Sequence, residues 1–251
     1  MILSIDFRTD IPAFYSEWLL NRFEEGYLMF RNPAAPSTVH KVILDKEHIE
    51  GIIWCSKDYR PILQRLHEIT DKFPSVFHCT ITPYGGDIEP GVDKNAGPES
   101  IKALSAEYGK EKVIWRYDPI LLTDLYTILY HISSFKFRAY EYSKYVDRVV
   151  INFVTMYEKV KRHMPELKEM TNDEKLEILR GFLKYCKEYG LKLQTREKYG
   201  TTYYHLYPCT IRKVVYRLEP IEITTLPGCE RKDIGYDTYD ILDHDWKDRW
   251  P

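Results

Sequence analysis

The sequence predicts an α/β protein whose parallel strands form a barrel or a doubly wound sheet. Short runs of strand type alternate along the chain with longer segments of helical period, which is the order that βαβ units require. Several of the strand-type runs are nearly continuous apolar stretches rich in Val and Ile, as expected for strands buried on both faces. No internal repeat interrupts this order, and 251 residues suffice for one large domain.

This alternation predicts seven strands and six helices. The predicted strands are residues 2–7, 27–31, 51–55, 75–81, 112–115, 148–153 and 191–195. The predicted helices are residues 13–25, 60–72, 98–108, 126–139, 156–164 and 172–189. The last helix has the clearest ends, because Thr171 and Glu174 have capping-box spacing and Gly190 follows as a C-cap. Since the end of the chain lacks periodicity, we expect one barrel domain over residues 1–207 and an irregular C-terminal extension over 208–251.

Composition and charge argue against several classes of protein. The chain has 36 basic and 38 acidic side chains and a formal charge of −2, so it lacks a globally basic nucleic-acid footprint. Its five cysteines are scattered, which argues against a disulfide scaffold or a four-cysteine zinc site. Charge appears by Asp6, too early for a signal peptide, and no apolar stretch is long enough to span a membrane. We therefore expect a cytoplasmic protein without a membrane partner, and the oligomeric state stays open.

Polar side chains follow each predicted strand, at the rim where the ends of parallel strands converge and ligands bind. Arginines at these ends suggest an anionic ligand, because guanidinium forks match phosphate and carboxylate groups. The predicted substrate-binding residues are Arg8, Arg31, Asn32, Lys57, Tyr84, Arg116, Tyr117 and Arg196. The candidates for a general acid or base, a role that needs a shifted pKa, are Asp10, Asp87, Glu89 and Asp118.

The same residues also have an ordinary structural interpretation. A barrel also stabilises its own loops with Arg–carboxylate pairs and helix caps. A structural role is therefore the alternative interpretation of each arginine. His78 alternates with apolar residues in a predicted strand, which favours a place in the core over a metal ligand.

Long strings at the strand ends resemble a bacterial family, the domain of unknown function numbered 1848. They are RTDIPAFYSEW (8–18), RNP (31–33), TPYGGDIEP (82–90), VIWRYDPILLT (113–123), NFVTMYEKVKR (152–162) and, more faintly, RKDIG (231–235). The family has no activity to carry over, but its members end in a cysteine cluster that looks like the iron–sulfur motif of radical SAM enzymes. The resemblance thus implies a partial (β/α) TIM-like barrel of the radical SAM type, with a [4Fe–4S] cluster closing its mouth.

This chain departs from the family pattern at the cluster itself. Cys229 is kept, but Tyr239, Asp243 and Trp246 stand where the three cluster cysteines would be. Because such a cluster needs three thiolates, we expect no [4Fe–4S] cluster and no radical SAM chemistry. A divalent cation is the alternative cofactor, although a solvated acidic tail is favoured because no rigid ligand spacing is visible. Its ligands would be Asp240, Asp243, His244 and Asp245.

Three hypotheses of function follow. The first is an enzyme or enzyme-derived protein that binds an anionic small molecule, bearing phosphate or carboxylate, at the C-terminal rim of its strands. The second is a nucleotide or nucleic-acid modifying or binding protein, in which the basic rim would hold phosphates and aromatic rings would stack on bases. Those rings would be Trp54, Tyr84, Trp115 and Tyr117. The third is a non-catalytic binding subunit, and the substrate and reaction stay open in all three.

Overall fold

A computed structural model describes residues 1–5, 9–31 and 39–195, together with three short strands further along the chain. The described residues fall into two compact units: the first runs from Met1 to Cys79 and includes the last two strands, and the second begins at Thr80. Each unit consists of parallel strands with helices, so the predicted α/β class is confirmed. Closure of the strands into a barrel, and a domain boundary near residue 207, stay predictions.

The first unit contains three parallel strands, in the order β1, β4, β5. Its elements are β1 (Ile2–Ile5), α1 (Ile11–Phe14), α2 (Ser16–Glu25), β2 (Tyr27–Arg31), β3 (Val39–Ile43), β4 (Gly51–Ser56), α3 (Arg60–Leu63), α4 (His67–Thr70) and β5 (Ser75–Thr80). Two strands that follow in the chain after the second unit, β10 (Val214–Tyr216) and β11 (Ile223–Thr225), pair antiparallel.

The second predicted strand exists, but it does not belong to the parallel sheet. β2 pairs antiparallel with β3, which was not predicted, and the two form a separate two-stranded sheet. Met29 is 47% exposed and Val39 is 45% exposed, so this apolar run is not buried on both faces as its composition suggested. The prediction that Arg31 and Asn32 follow a strand of the parallel sheet is therefore wrong.

Two predicted helices are each broken into two short ones. The helix predicted over 13–25 is interrupted at Tyr15, whose φ of −133° lies outside the helical range, and so becomes α1 and α2. The helix predicted over 60–72 becomes α3 and α4, which a short turn separates. In both cases the apolar spacing of a helix is present, but local backbone geometry divides it.

The second unit contains the parallel strands β6, β7 and β8 and the longest helices of the described chain. Its elements are α5 (Ala96–Tyr108), β6 (Val113–Ile120), α6 (Ile128–Tyr142), β7 (Arg148–Phe153), α7 (Glu158–His163), α8 (Asn172–Tyr189), β8 (Lys192–Thr195) and β9 (Tyr207–Pro208). α6 packs against α8, where the rings of Phe135 and Phe182 stack with centroids 3.8 Å apart. Gly181 permits this approach, because a Cβ atom there would lie 2.7 Å from a side-chain carbon of Ile132. Among the described helices, none is long and apolar enough to cross a membrane.

β6 is longer than the sequence predicted. Trp115 and Tyr117 are fully buried on one face of the strand, whereas Arg116 and Asp118 alternate with them on the other face. The polar residues of this segment occupy every second position within β6, so their polarity does not indicate the end of the strand. The predicted strand end at Trp115 is therefore wrong.

The predicted ends of α8 are confirmed. The Thr171 hydroxyl accepts from the Glu174 N–H at 3.3 Å, and the Glu174 carboxylate accepts from the Thr171 N–H at 2.8 Å. Gly190 ends the helix in the left-handed conformation, with φ of 71°. These contacts satisfy backbone groups that the first and last turns of a helix otherwise leave without partners.

Replacement of the cap tests its contribution to stability. We expect Thr171→Ala to lower the free energy of unfolding by about 1 kcal/mol, because the hydroxyl that accepts from the first turn is lost. Urea unfolding followed by circular dichroism measures the change. Glu177→Ala, an exposed position in the same helix, is the control and should change the free energy by less than about 0.5 kcal/mol. Equal effects of the two substitutions would contradict the capping role.

Candidate functional site

Three polar side chains meet on one face of the second unit's strands. The guanidinium of Arg116 contacts Asp118 Oδ2 through Nε at 2.8 Å and through Nη2 at 2.7 Å. The Asn152 amide on β7 donates to the same oxygen at 2.9 Å. The side chains of Arg116 and Asp118 remain 19% and 11% exposed. We call these three residues the Arg116 cluster.

The strand geometry explains why these residues come together. Arg116 and Asp118 are two residues apart in β6, so they project from the same face. The parallel register places Arg116 opposite Val150, and Asn152 is two residues further along β7 on that face. The cluster is therefore built from two adjacent strands rather than from loops, which fixes its geometry.

A second polar group follows β5 in the chain. Glu89 Oε2 accepts from the Thr82 hydroxyl at 2.7 Å and from the Lys94 ammonium at 2.5 Å. The Glu89 side chain is 10% exposed and that of Lys94 is 43% exposed. Burial raises the pKa of the Tyr84 hydroxyl, and the negative charges of Glu89 and Asp118 raise this pKa further. Two of the predicted carboxylates thus lie within electrostatic range of one phenol.

Tyr84 itself is held by backbone groups. Its hydroxyl donates to the Pro119 carbonyl at 2.6 Å and accepts from the Leu121 N–H at 3.0 Å. The ring is 3% exposed and packs edge-on against Tyr126, with centroids 5.0 Å apart. Tyr84 therefore fastens the segment after β5 to the end of β6. The prediction that it contacts a substrate or stacks on a base does not fit this burial.

Asp87 has a structural role in the same segment. The Tyr126 hydroxyl donates to Asp87 Oδ1 at 2.7 Å and accepts from the Gly85 N–H at 2.8 Å. The hydrogen bond from Tyr126 lowers the pKa of Asp87, which keeps this exposed carboxylate ionised. A Cβ atom at Gly85 would lie 2.8 Å from Asp87 Oδ1, so a side chain there would require the Asp87 carboxylate to move. A lowered pKa disfavours Asp87 as the predicted general acid or base.

The other predicted aromatic residues belong to the core, because their side chains have no exposed surface. Trp54 and Trp115 are fully buried, and so is Tyr117, whose ring packs against those of Phe135 and Phe182. A ring without an exposed face cannot stack on a base. The predictions that Tyr117 binds a substrate and that these rings stack on bases do not fit this burial.

Sequence reasoning missed His131, which is fully buried beneath the Arg116 cluster's strand. His131 Nε2 lies 2.7 Å from the Leu121 carbonyl oxygen. Because a carbonyl oxygen can only accept, Nε2 carries a proton and donates it to this hydrogen bond. In a neutral ring Nδ1 then accepts from the Tyr117 hydroxyl, 2.9 Å away. Its helical spacing from Phe135 and Ala139, the apolar face of α6, is the signal that could have revealed this place.

Asp10 in the first unit is a separate candidate. It caps α1 through the Ala13 N–H at 3.2 Å, and it accepts from the Ser56 hydroxyl at 2.5 Å and the Lys57 N–H at 2.7 Å. Burial raises the pKa of Asp10, and these hydrogen bonds offset part of the rise. Ser56 was not predicted, and the observed contact of Lys57 is made by its backbone. Asp10 thus has the shifted pKa of an acid or base, but structural donors occupy both of its oxygens.

Several predicted residues lie outside the described part of the chain. They are Arg8, Asn32, Arg196, the side chain of Arg31, and the tail residues Cys229, Tyr239, Asp240, Asp243, His244, Asp245 and Trp246. Among the described residues, no three His, Cys, Asp or Glu side chains form a group that could hold a metal ion. The described cysteines, Cys55, Cys79 and Cys186, form no disulfide with one another.

Comparison with known proteins gives a family but no activity. The family model described as "Domain of unknown function (DUF1848)" matches residues 2–217. No curated protein and no solved structure matches the chain. The matched range includes the Arg116 cluster and ends before Cys229, so it does not reach the region where this chain departs from the cysteine pattern.

The buried histidine makes stability depend on pH. Burial lowers the pKa of His131 to about 4, from 6.5 in the unfolded chain, so the fold favours the neutral ring. The contribution of this neutral ring to the free energy of unfolding is complete above pH 6.5 and is lost as the pH falls toward 4. For a pKa shift of this size the loss is about 3 kcal/mol. Unfolding free energies measured in urea across this range test the loss.

Two variants isolate the contribution of His131. His131→Gln should flatten the pH dependence, whereas His163→Gln, at an exposed position, should leave it as in the wild type. A His131→Gln protein with the wild-type slope would show that another group is responsible.

Proposed function

We propose that the second unit binds a small molecule bearing a phosphate or carboxylate at the Arg116 cluster. The chain belongs to the DUF1848 family, whose description names no activity, so this proposal is argued from the site itself. The observation that carries this proposal is a partly exposed guanidinium fixed on a strand. Asp118 orients Arg116 through Oδ2, and the buried aromatic residues on the opposite face hold the strand in place. A guanidinium held in a fixed orientation on a strand can contact an anion with little further loss of side-chain entropy.

Two carboxylates, those of Asp118 and Glu89, are proposed to contact the uncharged part of such a ligand. Asp118 Oδ1 takes no part in the contacts with Arg116 and Asn152, so it is the cluster's acceptor for a ligand hydroxyl or amine. Glu89, held by Thr82 and Lys94, is the carboxylate that we assign as proton acceptor if the ligand is transformed. A non-catalytic binding subunit would use the same anion contact without this proton transfer.

The nucleic-acid hypothesis is less well supported at this site. It needs exposed rings, and the predicted rings are buried in the core. A small anionic ligand needs only the Arg116 cluster, so it is the function that we propose.

The positions at which the family resemblance implies an iron–sulfur cluster lie outside the described part of the chain, and Tyr239, Asp243 and Trp246 stand there in place of the cysteines. No step of the proposed function passes through a cluster, and its absence stays a prediction from the missing thiolates. We expect anaerobically purified protein to contain no stoichiometric iron and sulfide by metal analysis and native mass spectrometry. Visible absorbance that dithionite bleaches, together with stoichiometric iron, would contradict this.

The anion site is tested by replacing Arg116. We expect Arg116→Lys to weaken the binding of inorganic phosphate by about 1–3 kcal/mol, because lysine cannot reproduce the fork. Titration calorimetry measures the affinity. The free energy of unfolding should change by less than about 1 kcal/mol, since a partly exposed ion pair contributes little.

Arg65→Lys is the matched control. Arg65 pairs with Glu17 and Glu68 in the first unit, and both of its ion pairs have exposed partners. This substitution should leave phosphate binding unchanged. If Arg116→Lys instead lowers the melting temperature and binds phosphate as the wild type does, then Arg116 has only a structural role.

A further inference from the structure

The solvent-facing side of α6 is unusually apolar. Leu129, Phe137 and Tyr140 are 72%, 67% and 57% exposed, and Leu125, just before the helix, is 62% exposed. Their spacing of eight and three residues places the three helical residues in one stripe along the helix. We call this stripe, with Leu125, the α6 surface.

The core contacts of α6 fix the direction in which this surface faces. His131, Phe135, Ala139 and Tyr142 are buried on the opposite side of the helix, where Phe135 stacks on Phe182 of α8. Rotation of α6 would break these contacts. The exposed apolar residues therefore cannot turn inward.

Cations accompany the apolar residues. Lys136 belongs to the same stripe, and Lys144 lies just after the end of α6. Their ammonium groups lie 5.6 Å and 5.1 Å from the ring centroids of Tyr185 and Tyr140. Glu141 is the single acidic residue in the sequence of α6, and it contacts Lys102 at 3.4 Å. The α6 surface is thus both apolar and positively charged.

This combination narrows the choice of partner. A second copy docked two-fold on the same surface would bring lysines to lysines, which repel one another. Nucleic acid would use the positive charge, but the aliphatic side chains Leu125 and Leu129 cannot stack on bases. An anionic lipid surface uses both features, since apolar side chains enter the boundary between headgroups and acyl chains while lysines reach the phosphates.

We propose that the α6 surface attaches the protein to anionic lipid bilayers. The helix would lie along the membrane plane, with the apolar stripe from Leu129 to Tyr140 covering roughly 16 Å at 1.5 Å per residue. Attachment of this kind needs no spanning helix, and it runs against the sequence-based expectation of no membrane partner. It does not depend on the Arg116 cluster.

Vesicle flotation tests this attachment with the full chain. We expect binding to vesicles of phosphatidylcholine with one quarter phosphatidylglycerol, little binding to phosphatidylcholine alone, and weaker binding at high salt. Lys136→Glu with Lys144→Glu should weaken the binding by at least about tenfold, given the typical contribution of a lysine near an anionic surface. Leu129→Ser with Phe137→Ser should weaken it similarly, because the inserted apolar area is lost.

The control variant makes the same change of charge elsewhere. Lys72→Glu with Lys110→Glu alters two exposed lysines outside α6 and should bind vesicles much more tightly than the α6 charge variant. Melting temperatures show whether every variant is folded, and phosphate titration separates a failure here from a failure at Arg116.

Three results would overturn the proposal. The first is no binding to anionic vesicles at low salt. The second is dimerisation that Phe137→Ser abolishes, which would make the α6 surface an interface between copies. The third is binding of a single-stranded oligonucleotide, without vesicle binding, that the lysine substitutions abolish.

Discussion

Trp115 and Tyr117 extend from β6 into the helices of the second unit, and their burial determines what the other face of the strand can present. The Trp115 ring stacks on Phe135 with centroids 5.0 Å apart, and its Nε1 donates to the Ile81 carbonyl at 3.0 Å. Full burial of one such ring contributes about 2–3 kcal/mol, whereas a partly exposed ion pair contributes about 1 kcal/mol or less. The aromatic contacts therefore set the position of β6. Arg116 and Asp118 face the opposite side as a consequence.

Phenol hydroxyls connect this core to the segments around the site. Tyr84 joins the segment after β5 to Pro119 and Leu121, Tyr126 joins Gly85 to Asp87, and the Tyr130 hydroxyl donates to the Pro83 carbonyl at 2.9 Å. The rings of Tyr84 and Tyr126 are buried and that of Tyr130 is partly buried, while each oxygen satisfies a backbone group that would otherwise be costly to bury. These three tyrosines thus make hydrogen bonds that phenylalanine could not make. Tyr84, which the sequence predicts as a ligand contact, stabilises the fold in this way.

The sequence predicted regular elements well where local chemistry alone determines them. α8 was predicted with both of its ends, since its caps are made by residues within four positions of each end, and β7 was predicted with its full bounds. β6 was predicted too short, because Tyr117 is buried in the strand by contacts with rings of α6 and α8 that lie far along the chain. β2 was assigned to the wrong sheet for a similar reason: an apolar run does not show which strand it pairs with. At the site, the pairing of Arg116 with Asp118 follows from their spacing, but the part taken by Asn152 depends on the alignment of two strands.

The close approach of α8 to α6 at Gly181 makes the two sides of α6 differ in how far they tolerate substitution. Because the missing side chain of Gly181 lets α8 approach Ile132, the inner side of α6 is close-packed and tolerates little change. On the outer side of the same helix Leu129 and Phe137 are mostly exposed, so substitutions of these two residues should leave the core intact. Exposed residues on the outer side of α6 can therefore change during evolution without loss of the fold. A surface interaction of this helix can be gained or lost independently of the core.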